Sequence, residues 1–277
     1  MHLSAPVEPL VNTDWLADHL TDPAVRLIEV DVSAAAYTAG HLPGAVLWNV
    51  YTDLLQPNYR VIERDAFAAL LGRSGIQPGM HVVVYGYAAA LGFWMMAHFG
   101  HPEVSFLNGS RIAWIAEERP LTTDAPESAA TAYTAADLRP ERSELRATAT
   151  QVQHLLDAPG TRFMDVRSLA EYTGERFWPS LPQQGDQRGG HLPGAILAPI
   201  EETWAPDGRF KDPETLRTLY RAKGFSADQE VITYCAVGGR ASQAWFVLTY
   251  LLDYPRVRVY DGSWIEWGTL PGVPVET

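Results

Sequence analysis

Short runs of β-branched, aromatic and other apolar residues recur along the chain and alternate with segments whose apolar positions fall three or four apart. Runs of the first kind are RLIEVD at 26–31, VVVY at 82–85, RFMDVR at 162–167 and VITY at 231–234. They are too short for buried helices and predict strands. Residues 65–71 and 213–222 carry helical spacing, and in the second of these Leu216, Leu219 and Tyr220 share one face. A further apolar helical run covers residues 245–252. Strands alternating with helices in this way predict βαβ units, hence an α/β fold in which a mainly parallel sheet is flanked by helices on both faces.

The pattern occurs twice. HLPGA at 41–45 returns as HLPGA at 191–195, and its surroundings return in the same order. RLIEVD precedes the first copy and RFMDVR the second, with Tyr37 and Tyr172 in between. VVVY matches VITY, and Asn108, Gly109, Ser110 and Trp114 match Asp261, Gly262, Ser263 and Trp267. A repeat of this length predicts two similar domains, residues 1–122 and 147–277. Residues 123–146, rich in Ala, Thr, Ser and Glu without a long apolar run, read as a linker with room for a short strand.

At 277 residues the chain is long enough for two domains of ordinary size, and 47% hydrophobic content supplies a core for each. The formal net charge of -12 opposes nucleic acid and anionic membrane surfaces as partners. An acidic protein that handles a small anion must gather positive potential locally, from a few arginines and from backbone N–H groups. No run approaches the roughly 20 apolar residues of a membrane span, and residues 1–10 lack the features of a secretory signal. A cytoplasmic location is expected. The single cysteine excludes an intramolecular disulfide and a Cys-rich metal site, the eight histidines show no ligand spacing, and no metal is expected.

The halves diverge after their matched strands. The second continues as Cys235, Ala236, Val237, Gly238, Gly239, Arg240 and Ala241 and then enters a helical run, whereas the first offers Gly86, Tyr87 and three alanines with no thiol. A strand, a glycine-containing loop and a helix start form an anion-binding arrangement, because glycines let successive N–H groups converge at the positive end of the helix. A thiolate placed there is stabilised and nucleophilic. A lone cysteine is otherwise a small buried hydrophobe; the loop is what favours chemistry. The first half cannot do the same chemistry and is expected to wall off one side of the site.

These residues resemble the rhodanese family, specifically the tandem-domain thiosulfate sulfurtransferases. The likeness is carried by both HLPGA motifs, by Asp165, Val166, Arg167, Glu171 and Tyr172, by the Cys235 loop, and by Asp261 to Trp264. It implies a degenerate N-terminal domain and a catalytic C-terminal one, in which Cys235 takes the outer sulfur of a small anionic donor as a persulfide and yields it to cyanide or a thiol. No cofactor is implied. The resemblance also implies that the N–H groups of Ala236, Val237, Gly238, Gly239 and Ala241 hold the substrate anion, with Arg240 and Arg188 as cationic help. For Arg240 a structural tie to a neighbouring acid is the alternative, and for Arg188 a solvated loop charge.

Thiosulfate users of the family carry a basic residue just after the cysteine, where this chain has Ala236 and Val237. Arg240 keeps thiosulfate as the first expectation, with 3-mercaptopyruvate as the alternative. Phosphatases of the same fold use C-x5-R; the C-x4-R spacing of Cys235 and Arg240 makes a tighter ring that suits a sulfur atom. A non-catalytic relay with a protein acceptor is the remaining alternative. His41 and His191 occur in both halves, so structural hydrogen bonding is expected of them. Asp165, Arg167 and Glu171 read as a charge network beneath the loop, Ser242 as a helix cap or site donor, and Trp114, Trp264 and Trp267 as core aromatics.

Overall fold

The computed structural model describes residues 8–126, 129–178 and 185–277. Most of the amino-terminal segment judged for a secretory signal, and residues 127–128 of the expected linker, therefore lie outside the described residues. The first half runs β1 (Leu10–Val11), α1 (Thr13–His19), β2 (Val25–Asp31), α2 (Ala35–Ala39), β3 (Val46–Asn49), α3 (Arg64–Arg73), β4 (His81–Tyr85), α4 (Ala89–Phe99), β5 (Val104–Leu107) and α5 (Ser110–Ala116). The second runs β6 (Arg146–Ala147), α6 (Ala149–Leu155), β7 (Thr161–Asp165), α7 (Leu169–Tyr172), β8 (Ile196–Leu197), α8 (Pro213–Ala222), β9 (Glu230–Tyr234), α9 (Gly239–Phe246), β10 (Val257–Tyr260) and α10 (Ser263–Trp267).

Each half builds a five-stranded sheet of parallel pairs, in the order β1-β5-β4-β2-β3 and β6-β10-β9-β7-β8. The same order twice is what the repeat demands. Strands β4 and β9 are central and carry almost unbroken apolar side chains, as strands buried on both faces must. Helix α4 is apolar all round, and ten of its residues, among them Phe93, Trp94 and Met95, are buried. Helix α8 is amphipathic: Asp212 caps it by accepting from the N–H groups of Glu214 and Thr215, Pro213 opens its first turn, and Leu216 and Tyr220 are buried.

The chain divides into two compact units, one of residues 1–56, 61–142 and 205–210, the other of residues 57–60, 143–204 and 211–277. The segment read as a linker is strapped to the first unit as far as Arg142. Thr131 N–H donates to Gly72 O, Arg139 N–H to Gly100 O and Arg142 N–H to His98 O, each within 3 Å. Arg64 reaches the carbonyls of Ala135, Leu138 and Arg139, while Tyr133 and Leu138 are buried. Two apolar anchors spaced through a polar stretch escaped the composition reading. Among the described residues, no helix is long and apolar enough to cross a membrane.

Candidate active site

The site begins at the carboxyl end of β9, the position where ligands meet open parallel sheets. Parallel pairing of β9 with β7 and β10 fixes the strand, and the chain leaves it at Cys235. It then turns through Ala236, Val237 and Gly238 into α9. Gly238 sits at φ +89, in the left-handed region, and a Cβ there would stand 3.3 Å from Asp261 O, so glycine makes this turn possible. The turn aims the Gly238 N–H at Cys235 Sγ, 3.1 Å away, in a side chain only 1% exposed. The first-turn N–H groups of α9 have no acceptor within the helix and add their dipoles at the same end.

The loop is fixed from below. Cys235 N–H donates to Ser263 Oγ at 3.1 Å, Trp264 N–H to Cys235 O at 2.9 Å, and Ile265 N–H to Ala236 O at 3.1 Å. Deeper still, Arg167 and Asp165 form a fully buried pair, with Nη2 2.6 Å from Oδ2 and 2.7 Å from Gly190 O. The guanidinium also lies over the rings of Trp264 and Tyr234, 4.6 and 5.6 Å from their centroids. Burial alone would lower the Arg167 pKa, but the Asp165 carboxylate beside it holds it above its ordinary value. Burial likewise pushes the Tyr234 hydroxyl well above its ordinary value.

Arg240 pairs with a neighbouring acid. Its Nη1 and Nη2 donate to Glu171 Oε2 and Oε1 at 2.9 and 2.7 Å, a bidentate pair with a carboxylate 1% exposed. Glu171 also accepts from Ser168 N–H and Oγ. Burial would raise the Glu171 pKa, but Arg240 and Ser168 outweigh it and hold the carboxyl below its usual value. Glu171 therefore binds Arg240 directly, while its charge also favours the protonated Arg167 nearby.

Arg188 and Ser242 both have backbone carbonyls as partners. Arg188, expected to face the substrate anion or stand solvated in its loop, donates to three carbonyls at and beyond the end of α10: Val273 O and Leu270 O at 2.6 Å, and Trp267 O at 3.1 Å. Carbonyls at a helix end lack intrahelical partners, and a guanidinium can satisfy several at once. Ser242 does not occupy the cap position of α9, which is Gly238; its Oγ donates back to Gly238 O at 2.9 Å and so ties the loop to the helix.

The first half shows the same scaffold without the sulfur. Gly86 takes the place of Cys235 at φ +105, and its N–H donates to Ser110 Oγ at 2.9 Å. Tyr85 donates to Glu29, Leu42 N–H reaches the Tyr85 hydroxyl, and Arg111 binds both Glu29 and Gly40 O. His41 and His191 stack on Tyr37 and Tyr172, with ring centroids 3.8 and 3.6 Å apart, and each bonds its tyrosine's carbonyl through Nδ1. Trp114, Trp264 and Trp267 are fully buried.

Two sheets have identical strand order, and the central strand of the second ends in the cysteine loop. The Rhodanese-like domain matches the chain twice, at residues 12–117 and 148–270. The chain belongs to the rhodanese-like family. A Thermus thermophilus relative, Sulfur carrier protein TtuD, is 42% identical over 97% of this chain and 96% of its own. A Haloferax volcanii protein named "Putative thiosulfate sulfurtransferase" is 40% identical over 96% of each chain. Among solved structures, a variant of EanB in complex with ergothioneine superposes with a TM-score of 0.86 at 23% identity, over 97% of this chain and 70% of that one. At that identity the likeness is one of fold.

Within this tandem rhodanese-like chain, sequence reasoning missed Ser263 as the acceptor for the Cys235 N–H and Glu171 as the partner of Arg240. A signal for the first existed: Ser110 and Ser263 occupy equivalent places in the repeat, and both stand at positive φ, +49 and +50. A cavity of about 810 Å³ in the first unit, lined by Asp22, Arg26, Gln77 and Met80 among others, lies at the amino ends of β2 and β4 and so is not the counterpart of the Cys235 loop.

Proposed function

We propose that the chain is a sulfurtransferase in which residues 147–277 carry sulfur on Cys235 and residues 1–122 are the non-catalytic companion. The observation that carries this reading is the Gly238 N–H directed at Cys235 Sγ at the head of α9. An amide donor and a helix terminus stabilise a thiolate, and after transfer they stabilise the terminal sulfur of a persulfide, which is also an anion. The Cys235 thiolate attacks the outer sulfur of thiosulfate, a new S–S bond forms as the old one breaks, and sulfite leaves with the electron pair. Cyanide or a thiolate then attacks the terminal sulfur, and the Cys235 thiolate is restored.

Side-chain help for the donor anion is limited, since Arg240 is engaged by Glu171 and Arg188 by carbonyls. The N–H groups of Ala236, Val237, Gly238, Gly239 and Ala241 are the proposed cradle, and no cofactor enters the mechanism. Cytoplasm is the compartment this chemistry favours, because a lone reactive thiol stays reduced there. The relatives' names support thiosulfate as donor, and the name of the 42% identical relative supports a second reading in which sulfur passes to a protein acceptor. The absence of a basic residue at Ala236 and Val237 keeps 3-mercaptopyruvate as the competing donor.

Incubation with thiosulfate or with 3-mercaptopyruvate, followed by intact mass spectrometry, is expected to add one sulfur to the wild type and none to Cys235→Ser. Sulfur retained by that variant would overturn the assignment. Offering cyanide to the loaded protein then separates the two readings: repeated turnover indicates a transferase for small acceptors, and persistence of the persulfide indicates a carrier.

A further inference from the structure

We propose that Ser263 is the positioning residue for Cys235, holding the thiol in the geometry that makes it reactive. The proposal deepens the sulfurtransferase reading and rests on it only for the sulfur-loading arm of the test. Ser263 opens α10 at φ +50, a left-handed conformation that residues other than glycine, asparagine and aspartate adopt at a cost. Such strain persists only where surrounding contacts fix it. Here the contacts are explicit. Ser263 Oγ donates to Tyr260 O at 2.8 Å and accepts from Cys235 N–H at 3.1 Å, so the hydroxyl is locked in one orientation between β10 and the loop.

The left-handed turn also directs the two amides that follow. Trp264 N–H takes Cys235 O and Ile265 N–H takes Ala236 O, so Ser263 and its successor hold both backbone polar groups of Cys235. With those groups fixed, the Cα–Cβ direction of Cys235 is fixed, and a single choice of χ1 then places Sγ 3.1 Å from Gly238 N. Ser263 itself is fully buried and does not touch Sγ in any hydrogen bond among the described residues. It acts through the backbone of another residue.

The first half supplies the control. Ser110 stands at φ +49 and accepts from Gly86 N–H at 2.9 Å, the same amide-to-hydroxyl contact under a loop with no thiol. The serine is thus an element of the scaffold in both halves, and only in the second does a reactive atom depend on it. Equal losses of scaffold in the two halves should have unequal consequences for Cys235.

The test compares Ser263→Ala, Ser263→Gly and Ser110→Ala in the full chain. Two rates are read: alkylation of the lone Cys235 by iodoacetamide, and sulfur loading from saturating thiosulfate. Both Ser263 variants are expected to slow both rates by about tenfold, the size of effect that loss of one hydrogen bond in a positioned site produces. Ser263→Gly relieves the left-handed strain and is expected to be the more stable of the two yet equally slow. Ser110→Ala is expected to lower stability with both rates unchanged. A Ser263→Gly variant that matches the wild type in alkylation, or a Ser110→Ala variant that slows Cys235 as much as Ser263→Ala does, would overturn the proposal. If the wild type takes no sulfur from thiosulfate, the donor assignment fails, and the alkylation rates still decide the role of Ser263.

Discussion

Removing either partner of the Arg240–Glu171 pair decides whether this arginine braces the loop or waits for the donor. Glu171 is 1% exposed and Arg240 15% exposed at the side chain, and the two bonds between them are 2.9 and 2.7 Å long. Breaking a buried pair by removing one charge costs about 3–5 kcal/mol, because the other is stranded. The residual access of Arg240 to water places Glu171→Gln at the lower end, about 3 kcal/mol. The double variant Glu171→Gln/Arg240→Met should lose less than the sum, with a coupling energy of about 1–3 kcal/mol. Urea unfolding provides the assay, and the trapping of Cys235 by a thiol reagent reports the second unit specifically, since that is the chain's single cysteine. The Glu171 carboxyl is held below its usual value, so its contribution is present above the ordinary carboxylate range and is lost as pH falls through the folded value. The cost of Glu171→Gln should therefore shrink in acid. If the coupling is below about 0.5 kcal/mol and Arg240→Met instead raises half-saturating thiosulfate at unchanged stability, Arg240 is a substrate contact and the bracing argument is wrong.

Other outcomes follow from individual contacts. Gly86→Cys in a Cys235→Ser background should acquire no sulfur, and it should destabilise the first unit by about 2 kcal/mol or more, because Cβ at φ +105 would lie 2.6 Å from Val30 O; intact mass and thermal unfolding read both effects. Arg188→Met should cost about 2 kcal/mol or more through three stranded carbonyls while leaving half-saturating thiosulfate unchanged, and a large change in that concentration with stability intact would return Arg188 to the site. Burial pushes His101 down to about 4, so between pH 6.5 and 4 the unfolded chain binds a proton that the folded chain refuses. Stability should fall by about 3 kcal/mol across that window, and His101→Gln should remove that part of the pH dependence in urea titrations.

The fold was legible because it depends on periodicity, and periodicity is written along the chain. The runs at 26–31 and 231–234 became β2 and β9 within one residue, and residues 213–222 became α8 with its cap and its buried face. The place of the thiol was legible for the same reason, since a strand end followed by glycines and a helix leaves few conformations. Partner choice was not legible. Glu171 lies 69 residues before Arg240, and Arg188 binds carbonyls as far as 85 residues away. Such pairs are set by which elements the sheet brings together, so an arginine beside an active loop in sequence carries no information about where its guanidinium points. In residues 123–146 composition records polarity, while attachment of the segment depends on Tyr133, Leu138 and the reach of Arg64.

The two halves show how far the scaffold can be rewired without losing its physical content. Each places a carboxylate beside a tyrosine on adjacent strands, Glu29 with Tyr85 and Asp165 with Tyr234, and each neutralises the buried acid with an arginine that also holds a glycine carbonyl. The source of that arginine differs. In the first unit it comes from α5, as Arg111, where the repeat has Trp264; in the second it comes from two residues past the end of β7, as Arg167, where the repeat has Asp31. An unpaired buried carboxylate costs several kcal/mol, so the cation is required, but its attachment point is not. Positional mismatch between the halves thus overstates their divergence below the loop and leaves the real difference within the loop itself. There Gly86 has closed against Val30 O and Tyr87 stands 69% exposed, whereas Cys235 is buried under an amide that points at its sulfur. Restoring a thiol to the first unit therefore requires reshaping the backbone from residue 86 onward, and a single side chain cannot supply that.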